Sequence, residues 1–439
     1  MKKNVFFVCV SLLFSIVSWF VYQQSFASRY PHQDIDSKAY LERADLMVHS
    51  GSFVKQAGEA LPYYGLGYPL FLAFLYWLFG QSIFVIVIAQ ILLALLALWL
   101  VMRLARLWFG EKSIVPTGLL FLASVGYVTF VQFVLTEILL ATLLLLFFYA
   151  FTQALSFGDR RYYVYAGIWL GLSILVKPAA LIFFFVALVS VFLLRRDACK
   201  EKIKNSILFS CMFLVPVFVT ITHNKIYFGT YALGNLAQVN LYYWFYPNVL
   251  AHINGTSSPH EQKKLIELSE GRYTCEKIAP LFSKTAGEAP GALVFVWIKN
   301  VCKTMFGLYT TNLKVLVEPN VMGGDISFFK VSGSFFQKIW GYITAGATKI
   351  WVICVGSFEM VFNSIRYFLC VMGLWGLCRK KRYDIVFFSI LFLGYFFMIT
   401  GHDGCARFRM MVEFLLIVLA AGGVTLIKEN LWKRQLPHL

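Results

Sequence analysis

The chain has 439 residues, of which 59% are hydrophobic, 18% aromatic and only 14% charged. A soluble domain carries about 25% charged residues, so a soluble enzyme is excluded and a polytopic membrane protein is expected. The formal net charge of +17 would suggest a nucleic-acid partner in a soluble protein; here it is the Lys and Arg excess that membrane proteins keep in cytoplasmic loops, and no nucleic acid is expected.

Met1, Lys2 and Lys3 precede an apolar run from Val5 to Tyr22, then Ser25, Phe26 and Ala27. The run exceeds the roughly 7–15 residues of a cleaved signal h-region, so a retained signal anchor is expected. The predicted fold is all-α with ten spanning helices. Their cores are Val5–Tyr22, Ile83–Val101, Ile114–Phe133, Thr136–Phe151, Tyr163–Val176, Ala179–Leu194, Ser206–Thr222, Trp351–Cys378, Ile385–Thr400 and Met410–Ile427. Leu70–Phe79 is apolar but too short to span, and is expected to dip into the outer leaflet. Leu293–Tyr309, punctuated by Lys299 and Lys303, reads as an interfacial amphipathic helix.

Alternate loops hold Arg103, Arg106 and Lys112; Arg160 and Arg161; Arg195, Arg196, Lys200, Lys202 and Lys204; and Arg379, Lys380, Lys381 and Arg382. With Lys428, Lys433 and Arg434 of the tail, all fall on one side if the chain starts in the cytoplasm and crosses ten times. The expected setting is the inner membrane, with two long periplasmic segments at residues 23–82 and 223–349. There is no fixed-period repeat or low-complexity tract, and the simplest organisation is one integral domain over residues 1–439.

Nine cysteines and seven histidines show no metal-ligand or redox spacing, so no metal site is expected from them. Cys275, Cys302 and Cys405 fall in outer segments, and a disulfide among them is left open.

The polar residues that could carry chemistry gather on the outer face. Asp34 and Asp36 lie in the first outer segment, and Thr136 and Glu137 at the turn between the third and fourth predicted spans. Lys177-Pro178 is at the next outer turn, and His402, Asp403, Arg407 and Arg409 precede the last helix. Ionisable groups at a membrane edge are costly, and their default reading is functional. Loop charges can equally be solvated faces, and Glu137 could simply mark a helix N-terminus, where a carboxylate is favoured. Asp34-Ile35-Asp36 is a D-x-D, a pattern common by chance, and its outer location argues against nucleotide sugars. A donor at that face would be a sugar on a polyprenyl phosphate. Transfer from it needs a carboxylate to take the acceptor proton and cations to hold the leaving phosphate. Asp36 with Glu137 could supply the first, and Lys177, Arg407 and Arg409 the second.

These segments resemble the GT-C glycosyltransferases, which include the protein O-mannosyltransferases and the lipid A aminoarabinose transferases. The stretch from His32 through Asp34, Asp36 and Tyr40 to Ala44 is similar to their first-loop D-S-x-x-Y-x-x-x-A. Tyr64-Gly65-Leu66-Gly67-Tyr68-Pro69-Leu70-Phe71-Leu72 is similar to P-G-Y-P-L-F-L, and Leu135-Thr136-Glu137 to L-T-E. Gly167 and Gly171 through Lys177-Pro178 resemble G-x-x-x-G…[KR]-P. Asn224 to Gly229 with Asn235 to Tyr242 resembles an N-x-x-x-F-G stretch and the polar segment after it, and Ala406-Arg407-Phe408-Arg409 resembles the R-[FY] turn. The resemblance runs from about residue 34 to 413. It implies Asp36 rather than Asp34 as base, Glu137 assisting, and Lys177 on the donor phosphate. Tyr40, Tyr68, His402 and Asp403 are candidates for the substrate cavity. The chain departs from the pattern at Met411 and Phe414, where prolines are frequent, and near Tyr64, where the first proline is missing. Many members carry a C-terminal soluble domain, and none is expected here.

Other features read as structure. Glu359, Asn363 and Arg366 fall on one helix face, either as a polar stripe facing a cavity or at an interface. Tyr242-Tyr243-Trp244-Phe245-Tyr246 could stack on a sugar, but an interfacial aromatic belt is the simpler reading.

The function expected is transfer of a sugar from a polyprenyl-phosphate carrier to a hydroxyl of a lipid, glycan or protein, with inversion, in contact with membrane lipids. No cofactor is required, and a divalent metal stays open. The alternatives are a lipid-linked sugar transporter or flippase, which would favour repeats and midplane sites, a polysaccharide polymerase or ligase, and a non-catalytic subunit.

Overall fold

A computed structural model describes residues 2–28, 35–54, 61–62, 64–195, 197–269, 275–317, 334, 337, 340–341 and 350–435. Among these residues every regular element is a helix. Asp34 lies outside them.

The first half holds α1 (Lys2–Ser28), α2 (Ile35–Ser50), α3 (Gly67–Phe79), α4 (Ile83–Phe109), α5 (Ile114–Ala123), α6 (Val125–Phe130), α7 (Glu137–Phe157), α8 (Arg160–Val176), α9 (Ile182–Leu194) and α10 (Cys199–Phe228). The second holds α11 (Leu236–Val239), α12 (Tyr246–Asn254), α13 (Ser258–Leu268), α14 (Ile278–Glu288), α15 (Pro290–Phe306), α16 (Thr310–Val317), α17 (Ile350–Arg379), α18 (Tyr383–Met398) and α19 (Met410–Gln435).

Seven helices among the described residues are long and apolar enough to span a membrane, and an eighth if the pair α15 and α16, bent by 67°, counts as one. The chain is therefore a multi-pass membrane protein. The other three of the ten expected spans are present in shorter form. Ile114–Phe133 is divided into α5 and α6, because Ser124 is extended (φ −76°, ψ 101°). α8 has 17 residues and stops at Lys177, since the residue before a proline is pushed out of the helical region. The sixth begins with a 3₁₀ turn at Pro178–Leu181 before α9. α3 has 13 residues, too short to cross a hydrocarbon core of about 30 Å at about 1.5 Å per residue.

Burial sorts the spans into an inner pair and an outer ring. Glu137–Phe157 and Ala406–Glu429 are each 83% buried within the protein, against 22% for Lys3–Ser25. α19 is sheathed by α4, α5, α7, α17 and α18. Gly373 of α17 and Gly423 of α19 face the partner helix's backbone so closely that a Cβ on either would collide with Leu419 or Leu369. Such small-residue contacts let helices approach where water provides no driving force. Gly167 and Gly171 do the same for α8 against Phe209 and Phe213 of α10. A smaller second core joins Tyr243, Phe245, Tyr246, Val249, Leu265, Ile278 and Val296. The 242–246 aromatic run is thus partly interior: Tyr243 is 0% exposed, whereas Trp244 is 43% exposed. Cys275, Cys302 and Cys405 are unpaired.

The basic loops meet at one end. Lys3 and Arg106 both pair with Glu111, and Lys380 donates to the Trp108 carbonyl at 3.3 Å. Arg382 donates to Ser156 Oγ at 2.8 Å, Arg195 to the Leu155 carbonyl at 2.6 Å, and Arg160 pairs with Glu201 at 2.8 Å. Glu137 lies at the other end of α7 from Ser156, about 30 Å away at about 1.5 Å per residue.

Candidate active site

Each site residue sits where its local sequence breaks a helix. Asp36 is in the first turn of α2 and Glu137 in the first turn of α7; both carboxylates face the positive end of a helix dipole. Lys177 follows the last residue of α8 in extended conformation (φ −150°, ψ 110°), at the negative end of that helix. Arg407 and Phe408 lie in a 3₁₀ turn, Ala406–Arg409, that leads into α19. The two innermost helices therefore both begin at the site.

Arg407 joins the carboxylates. Its Nε donates to Glu137 Oε1 at 2.5 Å and its Nη1 to Asp36 Oδ2 at 3.0 Å. The Glu137 side chain is 4% exposed and that of Asp36 27% exposed, so the pair opens on the Asp36 side. Glu137 Oε2 is buried and has no hydrogen-bond partner among the described residues. Lys177 Nζ stands 4.9 Å over the Phe408 ring, and on the ring's flank is His402, centroids 5.0 Å apart. Burial holds the Lys177 ammonium below the usual lysine pKa, against the opposing pull of Glu137 and Asp36. Two carboxylates and two cations are thus brought together from four distant parts of the chain.

The glycine-rich segment before α3 positions Lys177. A Cβ on Gly65 would stand 2.6 Å from the Val176 carbonyl oxygen, and one on Gly67 2.8 Å from the Leu175 carbonyl carbon. Only glycine allows this loop to lie on the end of α8. Tyr40 is buried, with its ring edge-on to Tyr64 and Tyr68 at 5.1 and 5.0 Å. Tyr68 is fully buried and donates to Gln90 Oε1 at 3.2 Å. A cavity lined by Arg43, Tyr64, Gly65, His223 and Asn224 lies beside the same loop rather than over the carboxylates.

Arg409 does not join Arg407. It is 0% exposed and pairs with Glu359 Oε1 at 3.2 Å and Glu413 Oε2 at 3.4 Å. It also donates to the carbonyls of Met305 and Gly307, each at 2.8 Å. Arg366 pairs with Glu413, and Ser124 and Tyr309 donate to the same carboxylate at 2.6 and 3.2 Å. The stripe of Glu359, Asn363 and Arg366 is therefore interior, and its two charged members belong to this network. Two arginines and two glutamates balance there, and the network pins α17, the α15–α16 bend and the Ser124 break to the first turn of α19. Asp403 is beside His402 and near Lys303, one step removed from the carboxylates.

Gln90 and Glu413 were not singled out by sequence. Each is a polar residue inside an apolar run, which is itself a signal, and Glu413 stands four residues after Arg409, the spacing of a helical ion pair.

Residues 64–223 match the family model described as dolichyl-phosphate-mannose-protein mannosyltransferase. Among solved structures, archaeal oligosaccharyltransferase AglB from Archaeoglobus fulgidus, in complex with an inhibitory peptide and a dolichol-phosphate, is similar at TM-score 0.50 and 13% identity over 97% of this chain and 52% of that one. ArnT from Cupriavidus metallidurans bound to undecaprenyl phosphate gives TM-score 0.41 and 17% identity over 97% and 79%. The chain spans about half the length of the AglB chain. No curated protein sequence matches. The family match covers about a third of the chain, and the likeness to AglB is one of fold. The matched stretch is the part that holds Tyr68, Gln90, Glu137 and Lys177.

Proposed function

We propose that the chain transfers a glycosyl unit from a polyprenyl-phosphate carrier to a hydroxyl of a lipid, glycan or protein at the periplasmic face of the inner membrane. The observation that carries this reading is the Arg407 bridge between Asp36 and Glu137, with Lys177 beside it. The acceptor oxygen bonds to the anomeric carbon as the bond from that carbon to the phosphate oxygen breaks, and the electron pair leaves with the carrier phosphate. Asp36 takes the hydroxyl proton. Lys177 meets the phosphate as charge develops on it. Attack opposite the departing phosphate inverts the anomeric centre. Glu137 Oε2 accepts from a hydroxyl of the sugar or acceptor, and Arg407 holds both carboxylates in place.

Among the described residues no group of three or more His, Cys, Asp or Glu is arranged to hold a metal ion. The positive charge between the two carboxylates is the guanidinium of Arg407.

The experiment is reconstitution of the purified chain in nanodiscs with the radiolabelled polyprenyl-phosphate sugar pool of host membranes. Asp36-dependent movement of label into a second product is expected. Label that crosses the bilayer on its original lipid, with no new product, would instead mark a transporter.

A further inference from the structure

Gln90 is fully buried within the apolar run of α4, where a polar side chain must find partners or cost free energy. Its amide is used at both ends. Nε2 donates to the carbonyls of Val131 and Phe133 at 3.1 and 2.9 Å, and Oε1 accepts from the Tyr68 hydroxyl at 3.2 Å. Val131 and Phe133 belong to the non-helical stretch between α6 and α7, whose last step is Leu135-Thr136 into Glu137. A non-helical turn buried in a membrane protein is tolerated only if its backbone groups are satisfied by neighbours.

The contacts form a closed circuit. Asp36 and Tyr40 are one turn apart on α2, Tyr40 meets Tyr68 edge-on at 5.0 Å, and Tyr68 is bonded to Gln90. Gln90 holds the turn that ends at Glu137, and Arg407 returns from Glu137 to Asp36. We infer that Gln90, with Tyr68, is a positioning residue that fixes the spacing of the Asp36 and Glu137 carboxylates. Its catalytic consequence rests on the transferase reading above; its structural consequence does not. Leucine in place of Gln90 would remove the side-chain donor from the Val131 and Phe133 carbonyls, leave Phe133 the Leu135 N–H at 2.9 Å, take the acceptor from the Tyr68 hydroxyl, and free the turn to relax away from Arg407.

Gln90→Leu and Tyr68→Phe test this, the second removing only one hydroxyl. Hydrogen exchange at residues 131–137 is the readout independent of activity, and the expected change in Gln90→Leu is about tenfold faster exchange there with α4 unaffected. In the transfer assay kcat should fall by about 10- to 100-fold, the cost of a small misplacement, with KM for the donor within about twofold. A merely structural defect would instead lower the amount of active protein, and kcat per folded site would stay constant. Tyr68→Phe should show the same pattern more weakly and add nothing to Gln90→Leu, because both cut one circuit. Should Gln90→Leu not fold, Tyr68→Phe alone decides. Unchanged exchange at 131–137, or faster exchange with unchanged kcat, overturns the inference. A wild-type protein without transfer activity overturns the functional reading instead, and the exchange result still decides whether Gln90 holds the turn.

Discussion

Arg407 and Asp36 are 371 positions apart in sequence and 3.0 Å apart in space, and the same guanidinium holds Glu137. One planar fork thus sets the orientation of both carboxylates. Lysine keeps the charge but is a single point on a flexible stem and cannot copy a fork. Arg407→Lys should therefore lose about tenfold or more in kcat, and Arg407→Ala more again, because it also takes the ion-pair partner from the buried Glu137. Steady-state kinetics on folded variants measures both; equal activity of Arg407→Lys and wild type would show that the fork is not used.

Lys177 carries a pH signature. Its ammonium is held below the usual lysine pKa by burial, so it loses its proton at lower pH than an exposed lysine would. On the proposed function, affinity for a polyprenyl phosphate should accordingly fall as pH rises, beginning below the ordinary lysine range. Lys177→Arg should remove that alkaline limb, since a guanidinium stays charged. Titration of binding by thermal shift checks the sign, and an alkaline limb that persists in Lys177→Arg would assign the group elsewhere.

Arg409 should behave differently from its neighbour two residues away. It is fully buried between Glu359 and Glu413, and removing one partner of a buried ion pair costs about 3–5 kcal/mol. Arg409→Ala should lower Tm strongly and leave donor affinity per folded molecule unchanged. Loss of affinity without loss of Tm would return Arg409 to the donor site.

The contacts of Lys3, Arg106, Lys380, Arg382 and Arg195 at one end of the bundle fit a cytoplasmic location for that end. A cysteine placed at Arg161 should react with impermeant maleimide only after permeabilisation, and one placed at Lys38, on α2 near the site, without it. Labelling of position 161 in intact cells would invert the orientation.

The fold class and most of the cluster were legible because both are written in strong local signals. Apolar run length and the alternation of basic loops placed Asp36, Glu137, Lys177 and Arg407 on one face before any coordinates. The pairing within that face was not legible. Arg407 and Arg409 look equivalent in sequence, and the 3₁₀ turn that holds them sends one guanidinium to the carboxylates and the other into the bundle. Ile114–Phe133 read as one span because hydropathy does not register a backbone break; Ser124 leaves the helix and its hydroxyl bonds to Glu413, 289 positions away. The role of Gln90 is hidden for the same reason, two of its partners being backbone carbonyls of a turn that local pattern does not foretell.

The central claim is that Asp36 is the base for transfer from a polyprenyl-phosphate sugar. Asp36→Asn keeps the shape and removes the basic oxygen, and Asp36→Glu keeps the base but displaces it by about one methylene. The decisive measurement is turnover of folded Asp36→Asn, with donor binding checked separately. A fall of about a hundredfold or more is expected, the range that removal of a general base gives, with Asp36→Glu impaired but measurable and Asp34→Asn milder. Near-normal turnover by folded Asp36→Asn would contradict the claim and pass the role of base to Glu137 or Asp34.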